Sequence, residues 1–493
     1  MAGLEDLDKK LTPLYPPLSG GIYPPPLTRG GREGLNLAII GGGYAGMAAA
    51  VALAGRGITV TVFESAQQLG GRARGVMHND TQLDNGQHLL LGCYHQTLHM
   101  IEQVGGDIEK DFLRLPLQLD LHGEFSLKAP RLPAPLHLLV ALLTAQGLSF
   151  NSRLNAARFM LALRRMNFTL PSPASGGGAK GEGSDITVAE LLAQHSQDAD
   201  LTQKLWEPLC IAALNTPIHK ASAQVLLNVL RDALNRSRAD SDMLLPRINF
   251  TALFPQRAAN HVEQHGGKVF TSCGVEAIIP NDNGIELRLA TSPSKLDTPS
   301  VRPEVSKGES EKSSLQFSHV ICAAPPVVAA KLLRPIAALA ETVAQIDVLE
   351  HQPIYTVYLQ YPARVTLPHP MLGLHQRYSQ WLFDKGRISG QHGLIAAVIS
   401  AEGIHQDLSQ EELAQKVIAE LREEFGVIEP PQWFKVIAEK RATFCCSPKL
   451  QRPPQQTTLP RLLLAGDYTA GDYPATLEGA VLSGLKCADV IAT

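Results

Sequence analysis

Gly41, Gly43 and Gly46 spell GxGxxG directly after a short apolar run, residues 36–40 (NLAII), and directly before small and apolar residues at helical spacing. Each glycine answers a separate steric demand. The first permits a tight turn, the second lets backbone approach a pyrophosphate, and the third lets a helix pack closely on a strand. The helix would point its free N–H groups and the positive end of its dipole at the phosphates. Glu64 closes the next β-branched run, residues 58–64 (ITVTVFE). A carboxylate there can accept hydrogen bonds from ribose hydroxyls. The chemistry these residues share is dinucleotide binding. Gly70-Gly71-Arg72-Ala73-Arg74 comes next. Two further glycines offer a second close backbone approach, and Arg72 and Arg74 bring positive charge towards a diphosphate. That continuation favours FAD over NAD.

Positioning these residues takes a strand over 36–40, a helix from Tyr44 to about Arg56 and a strand over 58–64, which together make one βαβ unit. Residues 319–326 (HVICAAPP) and 461–471 (RLLLAGDYTAG) repeat the strand-then-loop pattern, and 476–492 reads as a helix lined with small residues. Nucleotide-binding patterns at both ends of the chain predict an α/β fold. A Rossmann-like FAD-binding domain would gather residues 35–105, 245–325 and 455–493. A discontinuous α+β substrate domain would take 106–244 and 326–454. Residues 1–34 are rich in Pro and Gly and lack the apolar segment of a secretory signal, so they read as a disordered leader. Residues 171–185 and 291–314 are low in complexity and read as flexible insertions.

With 44 basic and 47 acidic residues, the chain has no basic excess to draw it to nucleic acid. None of its seven cysteines sits in a CxxC pair, which suits a reducing compartment and offers no zinc site. No other metal-ligand spacing appears. Cys445-Cys446 reads as small core residues rather than a thioether to flavin. Hydrophobic residues make up 44% and charged ones 18%, which points to a large core, an apolar substrate or a membrane surface. No run is long and apolar enough to span a bilayer. Residues 134–150 (APLHLLVALLTAQGLSF), with a Pro-punctuated start and His137, suit either an interfacial helix or a buried one. The expected location is cytoplasmic, peripherally attached to the inner membrane.

GGRAR behind a βαβ unit resembles the GG-motif flavoproteins, which include amine oxidases, phytoene desaturases and protoporphyrinogen oxidases. Residues 462–484 (LLLAGDYTAGDYPATLEGAVLSG) are similar to the C-terminal flavin-binding segment of that group. The resemblance implies that Gly466 and Asp467 approach the ribityl chain and pyrophosphate. It places Glu478 in the flavin-binding start of the last helix and has the backbone of Val275 hold the adenine. Thr476 stands where amine oxidases carry a tyrosine of their aromatic cage, which argues against amine oxidation. Residues 83–98 (LDNGQHLLLGCYHQTL), 208–217 (PLCIAALNTP) and 380–386 (QWLFDKG) resemble, more narrowly, the hydroxysqualene dehydroxylases of bacterial squalene and hopanoid pathways. This likeness runs from about residue 36 to the end. It implies reduction of a long-chain allylic isoprenoid alcohol, with reduced FAD supplying hydride and an electron donor the sequence does not identify. Two other readings stay open. A carotenoid-type desaturase would run hydride in the opposite direction, and a non-enzymatic isoprenoid-binding protein of related fold would run no chemistry.

Hydroxide leaves poorly, so the implied reaction needs an acid to protonate it. Asp84 and His88, just beyond the GGRAR loop, are the candidate catalytic pair. His88 would donate the proton, and Asp84 would hold its tautomer or stay ionised near a developing cation. The alternative is that DNGQH is a turn in which Asp and Asn serve backbone. Asp384 is a weaker candidate that also reads as a turn residue. Tyr355, Tyr358 and Trp381 suit an apolar pocket or the core equally.

Overall fold

A computed structural model describes residues 35–171, 185–290, 314–427 and 429–493. The proposed leader and nearly all of the two proposed insertions lie outside the described residues. β1 (Leu37–Ile40), α1 (Tyr44–Ala54) and β2 (Val60–Phe63) form the expected βαβ unit. Every residue of β1 is buried, as suits a central parallel strand. The strands enter a five-stranded parallel sheet in the order Lys268–Phe270, β2, β1, His319–Cys322, Leu462–Leu464. Strands from the two ends and the middle of the chain thus lie side by side. Ile40 pairs with Phe63 on one side and Cys322 on the other, and Cys322 pairs in turn with Leu464.

α1 is built of Ala, Gly and other apolar residues and is buried nearly all round. It packs against the C-terminal helix Leu477–Ala492 and the helix Pro255–Gln264. A three-stranded antiparallel sheet, Val275–Asn281, Gly284–Leu289 and Ser314–Phe317, adjoins the parallel sheet.

The second large element is a seven-stranded sheet. Its order is Trp433–Phe444, His351–Gln360, Leu394–Ser400, Trp381–Asp384, Met371–Gly373, Gln118–Leu121, Phe125–Lys128. Alternation along its strands sends side chains to two different cores. Tyr358, Trp381, Phe383, Ala396 and Val398 join a cluster with the helices Glu207–Leu214 and Ala223–Leu234. Tyr355, Val357, Leu382, Ala397 and Ile399 pack on the opposite face with the helix Gln410–Phe425. Tyr355 therefore does not share a pocket wall with Tyr358 and Trp381. Three positions separate it from Tyr358, an odd number that puts the two on opposite faces of one strand, and its ring lies 4.9 Å from that of His405. All seven cysteines are buried, and Cys445 and Cys446 are core residues.

Candidate active site

The carboxyl ends of the parallel strands converge on one crevice, the usual ligand site of such sheets. Gly41 donates its N–H to Phe63 O at 2.8 Å, Ala323 to Ile40 O at 2.8 Å, and Ala465 to Cys322 O at 3.0 Å. Gly41 has φ +107°, so its turn demands glycine. Gly43 is different. Its φ of −79° suits any residue, and an added Cβ would meet nothing nearer than Gly71 Cα at 3.9 Å. Neither backbone nor packing within the chain requires glycine there. Gly43 and Gly71 bring two bare backbones to contact distance of each other, and no side chain caps the start of α1, so its first N–H groups remain for an anion. These residues fit FAD.

The remaining residues of the nucleotide pattern gather around this crevice. Glu64 is buried. Its Oε2 accepts from Gly42 N–H at 2.7 Å and its Oε1 from Ala66 N–H at 2.7 Å, which leaves only spare lone pairs for ribose. Val275 opens its strand just beyond Cys273, whose N–H donates to Glu64 O at 2.8 Å. Arg72 donates to Asp467 Oδ1 at 2.5 Å and to Ala442 O at 2.6 Å, so residues from opposite ends of the sequence meet as an ion pair. Arg74 folds back onto Gly71 O at 2.5 Å, within its own loop. Gly466 N–H donates to Ser483 Oγ at 2.7 Å, which ties this turn to the C-terminal helix. Thr476 Oγ1 caps that helix by accepting from Gly479 N–H at 3.1 Å.

Glu478 directs its side chain to another helix. Its buried carboxylate accepts from Gln96 N–H at 3.0 Å, Thr97 N–H at 2.8 Å and Thr97 Oγ1–H at 2.7 Å. It caps the helix His95–Gln103 with the negative charge that a helix N-terminus favours.

Residues 84–88 form a loop between the nucleotide motifs and the seven-stranded sheet. Asn85 holds it to GGRAR: its N–H donates to Arg74 O at 2.8 Å and its Nδ2 to Arg72 O at 3.1 Å. On the other side, Tyr358 O–H donates to Asp84 O at 3.1 Å and Gln87 N–H to Thr356 Oγ1 at 3.3 Å. Asp84 Oδ1 accepts from Phe250 N–H at 2.9 Å. Burial pushes its carboxyl up to about 6, opposed by the charge of Lys385 and by the Phe250 hydrogen bond. His88 is half-buried, with its ring 4.8 Å from that of Phe250. Its Nδ1 lies 2.8 Å from Gly86 O. A carbonyl only accepts, so Nδ1 carries the proton and neutral His88 presents a bare Nε2. Gly86, not Asp84, therefore sets the tautomer, which corrects the expected Asp84–His88 pairing. Burial lowers the His88 pKa, and the charge of Arg72 lowers it further against the Gly86 hydrogen bond.

Asp384 caps the short helix Lys385–Ser389 by accepting from Arg387 N–H at 3.0 Å, and it also accepts from Leu367 N–H at 2.9 Å. It is a turn residue. Asn85 serves backbone, as the turn alternative expected; sequence reasoning missed Gln87 and Lys385. The signal for Lys385 was a lysine at the end of the apolar run WLF. Among the described residues no group of His, Cys, Asp or Glu is arranged to hold a metal.

The model of the flavin containing amine oxidoreductase family matches residues 44–492. A hydroxysqualene dehydroxylase from Sinorhizobium fredii is 26% identical over 92% of this chain and 98% of its own length. One from Rhodopseudomonas palustris is 27% identical over 92% and 97%. A zeta-carotene desaturase from Arabidopsis thaliana is 23% identical over 96% and 88%. Among solved structures, cyclohexylamine oxidase from Brevibacterium oxydans superposes with TM-score 0.65 at 17% identity, over 93% of this chain and 98% of that one. A putrescine oxidase bound to putrescine gives 0.65 at 16%, over 93% and 99%. At those identities the likeness is one of fold. With the family match running from the start of α1 to the end of the last helix, the chain belongs to the flavin-containing amine oxidoreductases and is an FAD-dependent oxidoreductase.

Proposed function

We propose that this enzyme reduces hydroxysqualene to squalene and water. The observation that carries the reading is the end-to-end likeness to hydroxysqualene dehydroxylases, which covers both the nucleotide crevice and the large sheet. Thr476 supports it, since a capping threonine stands where an amine-caging tyrosine would be. In this reaction the C–O bond breaks, a hydride forms the new C–H bond, and a proton completes water. FAD, when bound and reduced, supplies the hydride. The chain supplies the rest. The face of the large sheet carrying Tyr358, Trp381, Phe383 and Val398, opposite the helices Glu207–Leu214 and Ala223–Leu234, is the apolar layer suited to a C30 chain. His88 supplies the proton from Nε2 once it has become imidazolium. In its neutral state the same Nε2 accepts the hydrogen of the hydroxyl and orients it.

The division into a nucleotide domain (35–105, 245–325, 455–493) and a substrate domain (106–244, 326–454) belongs to this proposal. So does an electron donor that recharges FAD after each turnover. No helix among the described residues is long and apolar enough to cross a membrane. We place the membrane contact on the helices Leu136–Thr144 and Phe150–Arg165. Leu136, Leu143 and Phe150 are 53%, 42% and 70% exposed. Exposed Arg131, Arg158, Arg164 and Arg165 flank them and suit anionic headgroups. His137 plays no interfacial part, because it is fully buried with Nε2 3.3 Å from Ser241 Oγ.

The test is product analysis after anaerobic incubation of reduced enzyme with hydroxysqualene. Squalene is expected. A carotenoid-type desaturase, the reading favoured by the zeta-carotene desaturase likeness, would instead reduce oxidised flavin with a carotene.

A further inference from the structure

Among the described residues, the mechanism above leaves the buried cation Lys385 unused. Lys385 is 6% exposed and sits where the strand Trp381–Asp384 ends and a short helix begins. An ammonium there bears two costs, loss of hydration and the positive end of backbone dipoles. Its Nζ donates to Gln87 Oε1 at 3.2 Å, a bond between groups that are both buried. Gln87 Nε2 then donates to His88 O at 3.1 Å, and Gly86 O holds His88 Nδ1 at 2.8 Å. With its Oε1 turned to Lys385, the Gln87 amide must aim its N–H₂ at the His88 backbone. The cation thus fixes the conformation of residues 86–88 from behind. The loop so fixed is the one that Asn85 ties to GGRAR and to the ion pair of Arg72 with Asp467. A charge buried at this seam is weakly screened, so its field acts on the adjoining crevice.

We propose that Lys385 is a positioning residue of the reaction: through Gln87 it holds the loop that presents His88, and its fixed positive charge favours the electron-rich, reduced state of the bound flavin. This rests on the hydroxysqualene reading for the substrate step but not for the flavin step. The neighbouring Asp84 carboxylate is the charge that faces Lys385: burial lowers the Lys385 pKa and raises that of Asp84, and the charge of each opposes the shift of the other. Removing Lys385 alone strands Asp84, so a paired variant is needed.

The experiment compares Lys385→Met, Lys385→Arg, Gln87→Leu and Asp84→Asn/Lys385→Met as FAD-loaded proteins. Three quantities are measured: FAD content, the midpoint potential of the bound flavin without substrate, and the single-turnover rate with hydroxysqualene. Lys385→Met and the paired variant should keep FAD; Lys385→Met should show a more negative potential, whereas the paired variant, which removes two opposite charges together, should stay near the wild-type potential. Their turnover should fall on the order of 10²-fold, the scale of a misplaced reacting group. Lys385→Arg should keep the wild-type potential. Gln87→Leu should slow turnover to a similar extent with the potential unchanged, because it breaks the link and keeps the charge. If Lys385→Met does not fold, the paired variant and Gln87→Leu decide. Wild-type potential and wild-type rate in the folded, FAD-loaded variants would overturn the proposal. A wild-type enzyme inert to hydroxysqualene, with the potential shift still present in Lys385→Met, would overturn the substrate reading and leave the charge assignment standing.

Discussion

At His88 the proton sits on Nδ1, and burial with the nearby Arg72 charge disfavours a second one. The imidazolium that can protonate a hydroxyl is therefore scarce at neutral pH but strongly acidic when it forms. Two outcomes follow. His88→Ala should retain FAD and lose single-turnover rate by ~10²–10⁴-fold, the usual worth of general acid catalysis. In the wild type the same rate should fall as pH rises, with a midpoint below the ordinary histidine value of 6.5, because the folded pKa is lowered. Stopped-flow reoxidation across pH reads both. A His88→Ala enzyme at wild-type rate would remove His88 from the mechanism. His88 and Asp84 were legible in sequence as chemistry-bearing residues beside a glycine-arginine loop. Their relationship was not legible, because the backbone carbonyl of Gly86 and the N–H of Phe250 claim them separately, and such partners leave no trace in residue type. Lys385 was hidden for the opposite reason: at a strand end a lysine ordinarily reads as solvated.

At the scale of elements, the strand–glycine–helix unit was readable because each part has a local cause. The apolar run makes a buried strand, the positive φ of Gly41 makes the turn, and small residues make a helix that can be buried all round. Strand and helix ends shifted by a residue or two, as expected where caps decide them. The capping role of Glu478 was not legible because its partners, Gln96 and Thr97, lie on a helix far away in sequence. The element-level prediction concerns the junction before α1. A Cβ at Gly43 meets only Gly71 Cα, at ordinary contact distance, so the Gly43→Ala apoprotein should fold with a melting temperature close to that of wild-type apoprotein, and Gly43→Val is the larger probe of the crevice. Its side chain would nevertheless fill the space beside Gly71, and FAD retention after gel filtration should be lost. Full flavin occupancy in that variant would contradict the assignment of the crevice.

For the whole molecule, the motifs at the two ends of the chain implied that distant segments share one sheet, and β1 indeed lies between β2 and His319–Cys322, which carries Leu462–Leu464 on its far side. The seven-stranded sheet was less legible. Its strands come from 118–128 and 351–444, and the parallel junction of Gly373 with Leu121 is a long-range pairing that no local pattern announces. The same sheet explains why the protein needs a greasy composition, since it is apolar on both faces. On the proposed reading, a product that is nearly pure hydrocarbon leaves for a bilayer, and Leu136, Leu143 and Phe150, which are exposed, are the proposed docking face. Leu136→Glu with Leu143→Glu should release the holoenzyme from anionic vesicles in a flotation assay while FAD content stays unchanged. Unchanged flotation would move the contact elsewhere. The central claim is tested most directly by mixing photoreduced enzyme anaerobically with hydroxysqualene, while following flavin absorbance near ~450 nm and extracting the lipid. The account predicts recovery of the oxidised flavin band with one squalene formed per flavin reoxidised. A flavin that stays reduced, with hydroxysqualene recovered intact, would contradict it.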